Sequence, residues 1–118
     1  AGVGTQVWPA AAPLARYLGD FLQSGVKTSV NVVELGAGCG MLGLWLWLHS
    51  RGKCLRICLT DLPRLCPLME LNSALAQTTG EEPVLEAGME ALVRPLRWGL
   101  QEDLEVFRGE QWDLVIGP

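Results

Sequence analysis

Positive charge is scarce in this chain of 118 residues. Nine Lys and Arg residues stand against thirteen Asp and Glu, which gives a net charge of −4. A nucleic-acid surface needs clustered basic side chains, and here they are scattered. The longest apolar run, residues 41–48, is too short to cross a bilayer. We therefore expect no nucleic-acid partner and no membrane partner.

Patterns for metal binding and for disulfides are missing as well. The four cysteines form no C-x-x-C pair, and the one histidine, His49, has no companion for a zinc site. Cys54 and Cys58 share one face of an apolar segment, as small core residues do. We expect no bound metal, and we expect reduced, buried thiols, which are typical of a cytoplasmic protein that is also able to enter the nucleus.

Segments with helical spacing alternate with short β-branched or apolar runs. The runs predict four strands, which are 30–35, 53–60, 91–96 and 112–117. The helical segments between them are 9–25, 41–50, 63–77 and 100–107. Strands that alternate with helices form a parallel sheet through right-handed crossovers. The sequence therefore predicts an α/β fold, with an N-terminal helical segment at 1–28 and the four strands within 29–118.

Three glycines follow the first strand at alternate positions. Gly36, Gly38 and Gly40 let the backbone turn sharply and approach a ligand closely. Their spacing is G-x-G-x-G, whereas a dinucleotide loop reads G-x-G-x-x-G. Glu34, two residues before the loop, would repel a pyrophosphate and favour a cofactor with a cationic amino-acid portion. S-adenosylmethionine fits that description.

A second acid ends the second strand. Asp61 lies about 20 residues past Gly40, and a carboxylate at this point of a βαβ unit reaches the hydroxyls of a ribose. Thr60 and Leu62 would then line the adenosine through backbone and apolar atoms. The alternative is that Asp61 caps the following helix, but its spacing from the glycines favours the ribose role.

Trp98 follows the third predicted strand, in the sequence Leu96-Arg97-Trp98-Gly99. An indole at the carboxyl end of a strand offers a flat apolar surface to an adenine ring. The alternatives for a tryptophan are a place in the core or on a surface that meets a partner.

Six segments occur together in an order that resembles one enzyme family. They are 7–11 (VWPAA), 33–43 (VELGAGCGMLG), 59–62 (LTDL), Asn72, 96–99 (LRWG) and 112–117 (WDLVIG). The chain resembles the seven-β-strand S-adenosylmethionine-dependent methyltransferases, in the protein-lysine methyltransferase group called methyltransferase family 16. The resemblance covers nearly the whole chain, and its most specific parts are Trp-Pro-Ala-Ala and Leu-x-Trp-Gly.

The resemblance implies a set of cofactor contacts at the matching positions. Trp8 would contact S-adenosylmethionine, and the glycine loop would hold its methionine portion. Asp61 would bind the ribose, and Trp98 would contact the adenine. The backbone near Pro118 would also approach the cofactor, although the family has Ala or Ser there. With the residues singled out above, the expected cofactor contacts are Trp8, Glu34, Gly36, Ala37, Gly38, Gly40, Asp61, Leu62, Trp98 and Pro118.

The resemblance also implies a Rossmann-like class I methyltransferase fold. Residues 1–118 would form its N-terminal, cofactor-binding part, with the strands in the order 3-2-1-4. The seven-stranded sheet would be truncated after its fourth strand, and an unpaired edge invites aggregation. We therefore expect this fragment alone to be inactive and poorly soluble. Acceptor-side residues would lie beyond Pro118, and we name no catalytic residue.

The implied reaction is transfer of the sulfonium methyl group to a protein lysine, whose amine must be neutral to attack. We expect the full-length protein to be a monomer with a protein substrate. Three alternatives stay open. They are a methyltransferase of a small molecule or another side chain, a cofactor-binding paralogue without turnover, and a nicotinamide-dependent dehydrogenase, which Glu34 disfavours.

Overall fold

The computed structural model describes residues 11–25, 30–49, 54–78 and 90–117. Helices and strands alternate through these ranges, as the sequence predicts. They are α1 (Ala11–Ser24), β1 (Val30–Glu34), α2 (Met41–His49), β2 (Cys54–Asp61), a 3₁₀ helix (Pro63–Leu65), α3 (Cys66–Thr78), β3 (Glu90–Pro95), α4 (Gln101–Glu105) and β4 (Leu114–Ile116). In the part of the chain described here, no helix is long and apolar enough to cross a membrane.

The four strands form one parallel sheet in the order β3-β2-β1-β4. This confirms the predicted α/β fold and the predicted strand order. From β1 the chain adds β2 and then β3 on one side, and it later adds β4 on the other side. The strand order therefore reverses direction beside β1. In sheets of this kind ligands bind at such a switch point, outside the carboxyl ends of the strands.

Helices α2 and α3 pack on one face of the sheet, α1 packs against α2, and the core lies among these elements. Side chains of a strand alternate between faces, and Val32, Ile57 and Leu59 point to the helical side with no exposed surface. Trp47 of α2 is fully buried among them, whereas Trp45 is partly exposed and lies near α1. The two tryptophans therefore face apart, as their spacing along a helix requires.

The opposite face carries charged residues that hold the connection between α4 and β4. Arg94 Nη1 lies 3.1 Å from Glu110 Oε2, and Arg56 Nε lies 3.0 Å from Glu90 Oε2. The Arg56 guanidinium also lies 5.8 Å from the centre of the Trp112 ring. The Arg56–Glu90 pair joins β2 to β3, whereas the contacts to Glu110 and Trp112 attach the segment before β4 to these two strands.

Gly43 lies where α2 packs closely on the sheet, and replacing it tests that packing. A Cβ atom at this position would lie 2.5 Å from Glu34 Oε1 and would also overlap the Leu59 side chain. We expect Gly43→Ala to lower the free energy of unfolding by about 1–3 kcal/mol, since overpacking a core costs about that much. Urea unfolding of the whole protein measures this change.

Gly19→Ala in α1 is the matched control, because both substitutions replace a helical glycine by alanine. A Cβ atom at Gly19 would lie 3.9 Å from Trp45 Cζ3, an ordinary van der Waals distance. This substitution should leave stability unchanged or raise it by up to about 1 kcal/mol. Equal effects at the two positions would contradict the close packing of α2.

Candidate functional site

The loop from β1 to α2 turns at each of its three glycines. Gly36, Gly38 and Gly40 have φ angles of 66°, 61° and 85°, in the left-handed region that glycine adopts at little cost. At Gly40 a Cβ atom would also lie 2.9 Å from Leu59 Cδ1. The alternate glycines therefore shape the loop and let it sit close to β2.

Several N–H groups of this loop are already bonded within the protein. Ala37 N donates to Thr60 O at 2.9 Å, and Gly40 N donates to Ala37 O at 2.9 Å. Gly38 N donates to the Asp61 carboxylate, with 2.8 Å between Gly38 N and Asp61 Oδ2. A loop that cradles phosphate keeps such groups for its ligand. The geometry at these three positions therefore disfavours a pyrophosphate.

Asp61 presents a carboxylate at the mouth of the loop. Its Oδ2 accepts from Gly38 N, and its Oδ1 accepts from Leu62 N at 2.7 Å. Each carboxylate oxygen has room for two donors, so among the described residues each keeps one acceptor position. Asp61 therefore suits a ligand with two neighbouring hydroxyl groups, such as a ribose.

The capping alternative for Asp61 is wrong. The helix that follows β2 is the 3₁₀ helix Pro63–Leu65, and its N-cap residue is Leu62, with no side-chain cap bond. The only backbone N–H groups bonded by the Asp61 carboxylate in the described structure are those of Gly38 and Leu62. Asp61 thus joins the end of β2 to the glycine loop.

The Glu34 side chain points into the core and not toward the ligand side of the loop. The pattern predicted a charge that faces a cationic ligand, but the side chain is 0% exposed and lies under α2. Its Oε1 accepts from Gly43 N at 3.1 Å, and its Oε2 has no hydrogen-bond partner in the described structure. Glu34 shares a strand face with Val32, which explains its inward direction. The acid at the mouth of the loop is Asp61.

Burial controls the ionisation of Glu34. Removal from water raises the pKa of its carboxyl from 4.5 to about 8. The Gly43 N–H bond opposes this rise, and the negative charge of Asp61 adds to it. The carboxyl is therefore mostly neutral at pH 7, and attraction of a cation by its charge does not follow from this geometry. A direct cofactor contact by Glu34 stays a prediction.

One buried and one half-buried polar contact brace the loop, and the sequence pattern predicts neither. Thr60 Oγ1 donates to Glu34 O at 2.6 Å, and Asn72 Nδ2 of α3 donates to Cys39 O at 2.8 Å. Thr60 is fully buried, so its side chain lies beneath the loop and not along an adenosine. A polar residue inside an apolar strand or helix was the available signal.

Trp98 and Leu62 extend the same edge of the sheet. Trp98 is 79% exposed and Leu62 is exposed as well, so the core alternative for Trp98 is wrong. Pro95 pairs with Asp61 in the sheet, and Leu96 N donates to Asp61 O at 2.9 Å. The turn that carries Trp98 therefore begins beside Asp61.

Two of the predicted cofactor contacts, Trp8 and Pro118, cannot be placed relative to the loop. Trp8 and Pro118 lie outside the described residues, and their contacts stay predictions. Leu35 N donates to Ile116 O at 2.8 Å, which places the end of β4 beside the start of the loop. Gly117, the last described residue, follows at that point.

Comparison with solved structures and with sequence families defines the class of protein. The fold is similar to that of a chain in the Trypanosoma brucei PRMT1 enzyme-prozyme heterotetrameric complex with AdoHcy, with a TM-score of 0.55. That likeness covers 91% of this chain and 28% of the other, at 14% identity, and it shows the fold alone. A sequence model of the lysine methyltransferase family matches residues 1–118. The chain belongs to this lysine methyltransferase family.

A curated relative gives a second comparison. The chain is 32% identical over 109 residues to the protein-lysine N-methyltransferase EFM6 of Saccharomyces cerevisiae. The aligned region covers 83% of this chain and 41% of the yeast protein. The chain thus spans about two fifths of the length of that relative.

The substitution Glu34→Gln tests the raised pKa of the buried carboxyl, because that pKa makes the free energy of unfolding depend on pH. With a pKa of about 8 in the folded protein against 4.5 for the free group, the folded state holds a proton that the unfolded state releases. The free energy of unfolding therefore falls as pH rises through this window, by at most about 1.4 kcal/mol per pH unit from this group. Glutamine carries no such proton, so the variant should gain stability relative to the native protein as pH rises.

Urea unfolding of both proteins at about pH 5 and about pH 8 measures this gain. Glu70→Gln, which removes an exposed carboxyl from α3, is the matched control and should show no comparable growth with pH. A Glu34→Gln difference that is the same at both pH values would contradict a buried, neutral carboxyl.

Proposed function

We propose that the full-length protein is an S-adenosylmethionine-dependent methyltransferase that modifies a lysine side chain of a protein substrate. The observation that carries the proposal is the Asp61 carboxylate, bonded to Gly38 N at 2.8 Å at the mouth of a glycine loop. This arrangement stands in a chain that belongs to the lysine methyltransferase family. The name of the yeast relative supports the lysine acceptor, and the AdoHcy complex of the structural neighbour supports the cofactor.

The described residues fit the parts of this cofactor. Asp61 keeps two acceptor positions for ribose hydroxyls, and exposed Leu62 and Trp98 offer apolar surface to an adenine. The loop Gly36–Gly40 would hold the methionine portion. The Asp61 carboxylate beside the loop would favour the positive charge of that portion. Trp8 and Pro118 complete the proposed contacts. When bound, S-adenosylmethionine supplies an activated methyl group.

The protein's part in the reaction is to bind and orient, because a sulfonium methyl group is already reactive. Thr60, Asn72 and Gly43 hold the loop and α2 in place through the bonds to Cys39 and Glu34. A nicotinamide cofactor would instead place a pyrophosphate against N–H groups that Thr60 and Asp61 already occupy. The loop geometry thus favours the methyltransferase over the dehydrogenase.

We further propose that the full-length protein is a monomer that works in the cytoplasm and also enters the nucleus. The described cysteines Cys39, Cys58 and Cys66 are free thiols, as is usual in these compartments. Burial raises the pKa of the Cys58 thiol to about 11, which makes it unreactive. The division into a helical segment at 1–28 and the sheet within 29–118 is part of the same proposal.

Methyl transfer from labelled S-adenosylmethionine tests the function. The full-length protein, incubated with the labelled donor and a cell lysate, should place label in protein as methyllysine. Label in small metabolites alone would overturn the lysine acceptor, and no transfer despite binding of S-adenosylhomocysteine would identify a paralogue without turnover. Binding of NAD without S-adenosylhomocysteine would overturn the methyltransferase itself.

The substitution Asp61→Asn tests the ribose contact itself. It replaces a carboxylate, which can accept hydrogen bonds from both ribose hydroxyls, by a neutral amide with one acceptor oxygen. Loss of bonds to a charged group should raise the KM for S-adenosylmethionine about tenfold or more. Asp113→Asn is the matched control, because Asp113 Oδ2 accepts from Asn31 N at 2.8 Å near the other end of β1. It should change that KM by less than about twofold.

A further inference from the structure

Arg97 and Asp103 form a three-bond contact that the cofactor site described above does not use. Arg97 N and Nε each lie 2.8 Å from Asp103 Oδ2, and Arg97 Nη2 lies 3.1 Å from Asp103 Oδ1. One carboxylate thus binds both the backbone and the guanidinium of one residue. Such bidentate, charge-assisted contacts fix geometry as well as adding energy.

This pair differs from ordinary surface ion pairs, which contribute little. Asp103 is 6% exposed and lies in the first turn of α4, whereas the Arg97 side chain is 48% exposed, so the pair stands out by its bidentate geometry. The bonds from Arg97 lower the pKa of the Asp103 carboxyl, which favours its charged form beside the guanidinium. An exposed pair at the end of the same helix, Glu105 of α4 with Arg108 beyond it, has one contact at 3.2 Å.

The pair fixes the turn that carries Trp98. Leu100 N donates to Arg97 O at 3.1 Å, and Gly99 has a φ of 83°, as in a β-turn with glycine at its third position. Trp98 occupies the second position of this turn, and it is mostly exposed. Because the core does not hold the indole, the turn decides where it points.

We propose that Arg97 and Asp103 are positioning residues that hold the 97–100 turn so that the Trp98 indole meets the adenine of the bound cofactor. The proposal rests on the proposed function, in which Trp98 contacts the adenine. The ion pair would then contribute to cofactor affinity only by orienting Trp98, and not by a contact of its own with the cofactor. Without the pair, the exposed indole would sample other directions and contact the adenine less often.

A double-mutant cycle on the full-length protein tests this coupling. Calorimetric titration with S-adenosylhomocysteine would compare the native protein with Arg97→Met, Trp98→Ala and the double variant. Stacking of a base on an aromatic ring is worth about 1–3 kcal/mol, so Trp98→Ala should weaken binding about 5- to 150-fold. Arg97→Met should weaken binding several-fold in the native background and cause no further loss once Trp98 is alanine.

Arg108→Met is the matched control, since it removes an exposed arginine that also pairs with an acid of α4. It should leave affinity unchanged within about twofold. Asp103→Asn keeps the shape of the side chain and removes its charge. It provides the second variant for the same cycle, and it replaces Arg97→Met if that protein does not fold.

The outcomes separate the inference from the function on which it rests. Failure of the native protein to bind S-adenosylhomocysteine would overturn the proposed function. Binding by the native protein, with the same loss from Arg97→Met whether or not Trp98 is present, would overturn the positioning role alone. A loss that disappears in the Trp98→Ala background supports it.

Discussion

The hydrogen bond from Gly38 N to the Asp61 carboxylate is the contact on which the candidate site depends. It joins the loop after β1 to the end of β2, at the edge where the parallel strands finish. It occupies an N–H group that an anion would need, and it sets a negative charge at the mouth of the loop. One contact thus selects against a phosphate and leaves acceptors for hydroxyl groups.

The loop keeps this position because polar groups inside the fold support it. Glu34 accepts from Gly43 N below α2, and Asn72 reaches Cys39 O from α3. A buried carboxyl oxygen without a partner, as at Glu34 Oε2 within the described ranges, costs about 1–3 kcal/mol. Such local costs are typical of functional sites, where the geometry of a ligand pocket takes precedence over stability.

Hydrophobic periodicity predicts the order of helices and strands, and the spacing of Gly36, Gly38 and Gly40 predicts the tight loop after β1. The direction of Glu34 was not accessible, because Val32 and Val33 are both apolar and a central parallel strand is buried on both faces. Alternation therefore could not show which face the acid joins. The Arg97–Asp103 pair was missed for another reason, since it bridges a turn and follows no helical or strand period. The strand order came from resemblance to a family and not from the pattern of residues.

A crystal structure of the full-length protein with S-adenosylhomocysteine would show directly whether the carboxyl edge of β1 and β2 holds a nucleoside through Asp61. Both ribose hydroxyls should lie at about 2.6–3.0 Å from the Asp61 oxygens, with the Gly38 N bond retained and the adenine next to Trp98. A nucleoside bound with no ribose contact to Asp61 would contradict this role of Asp61.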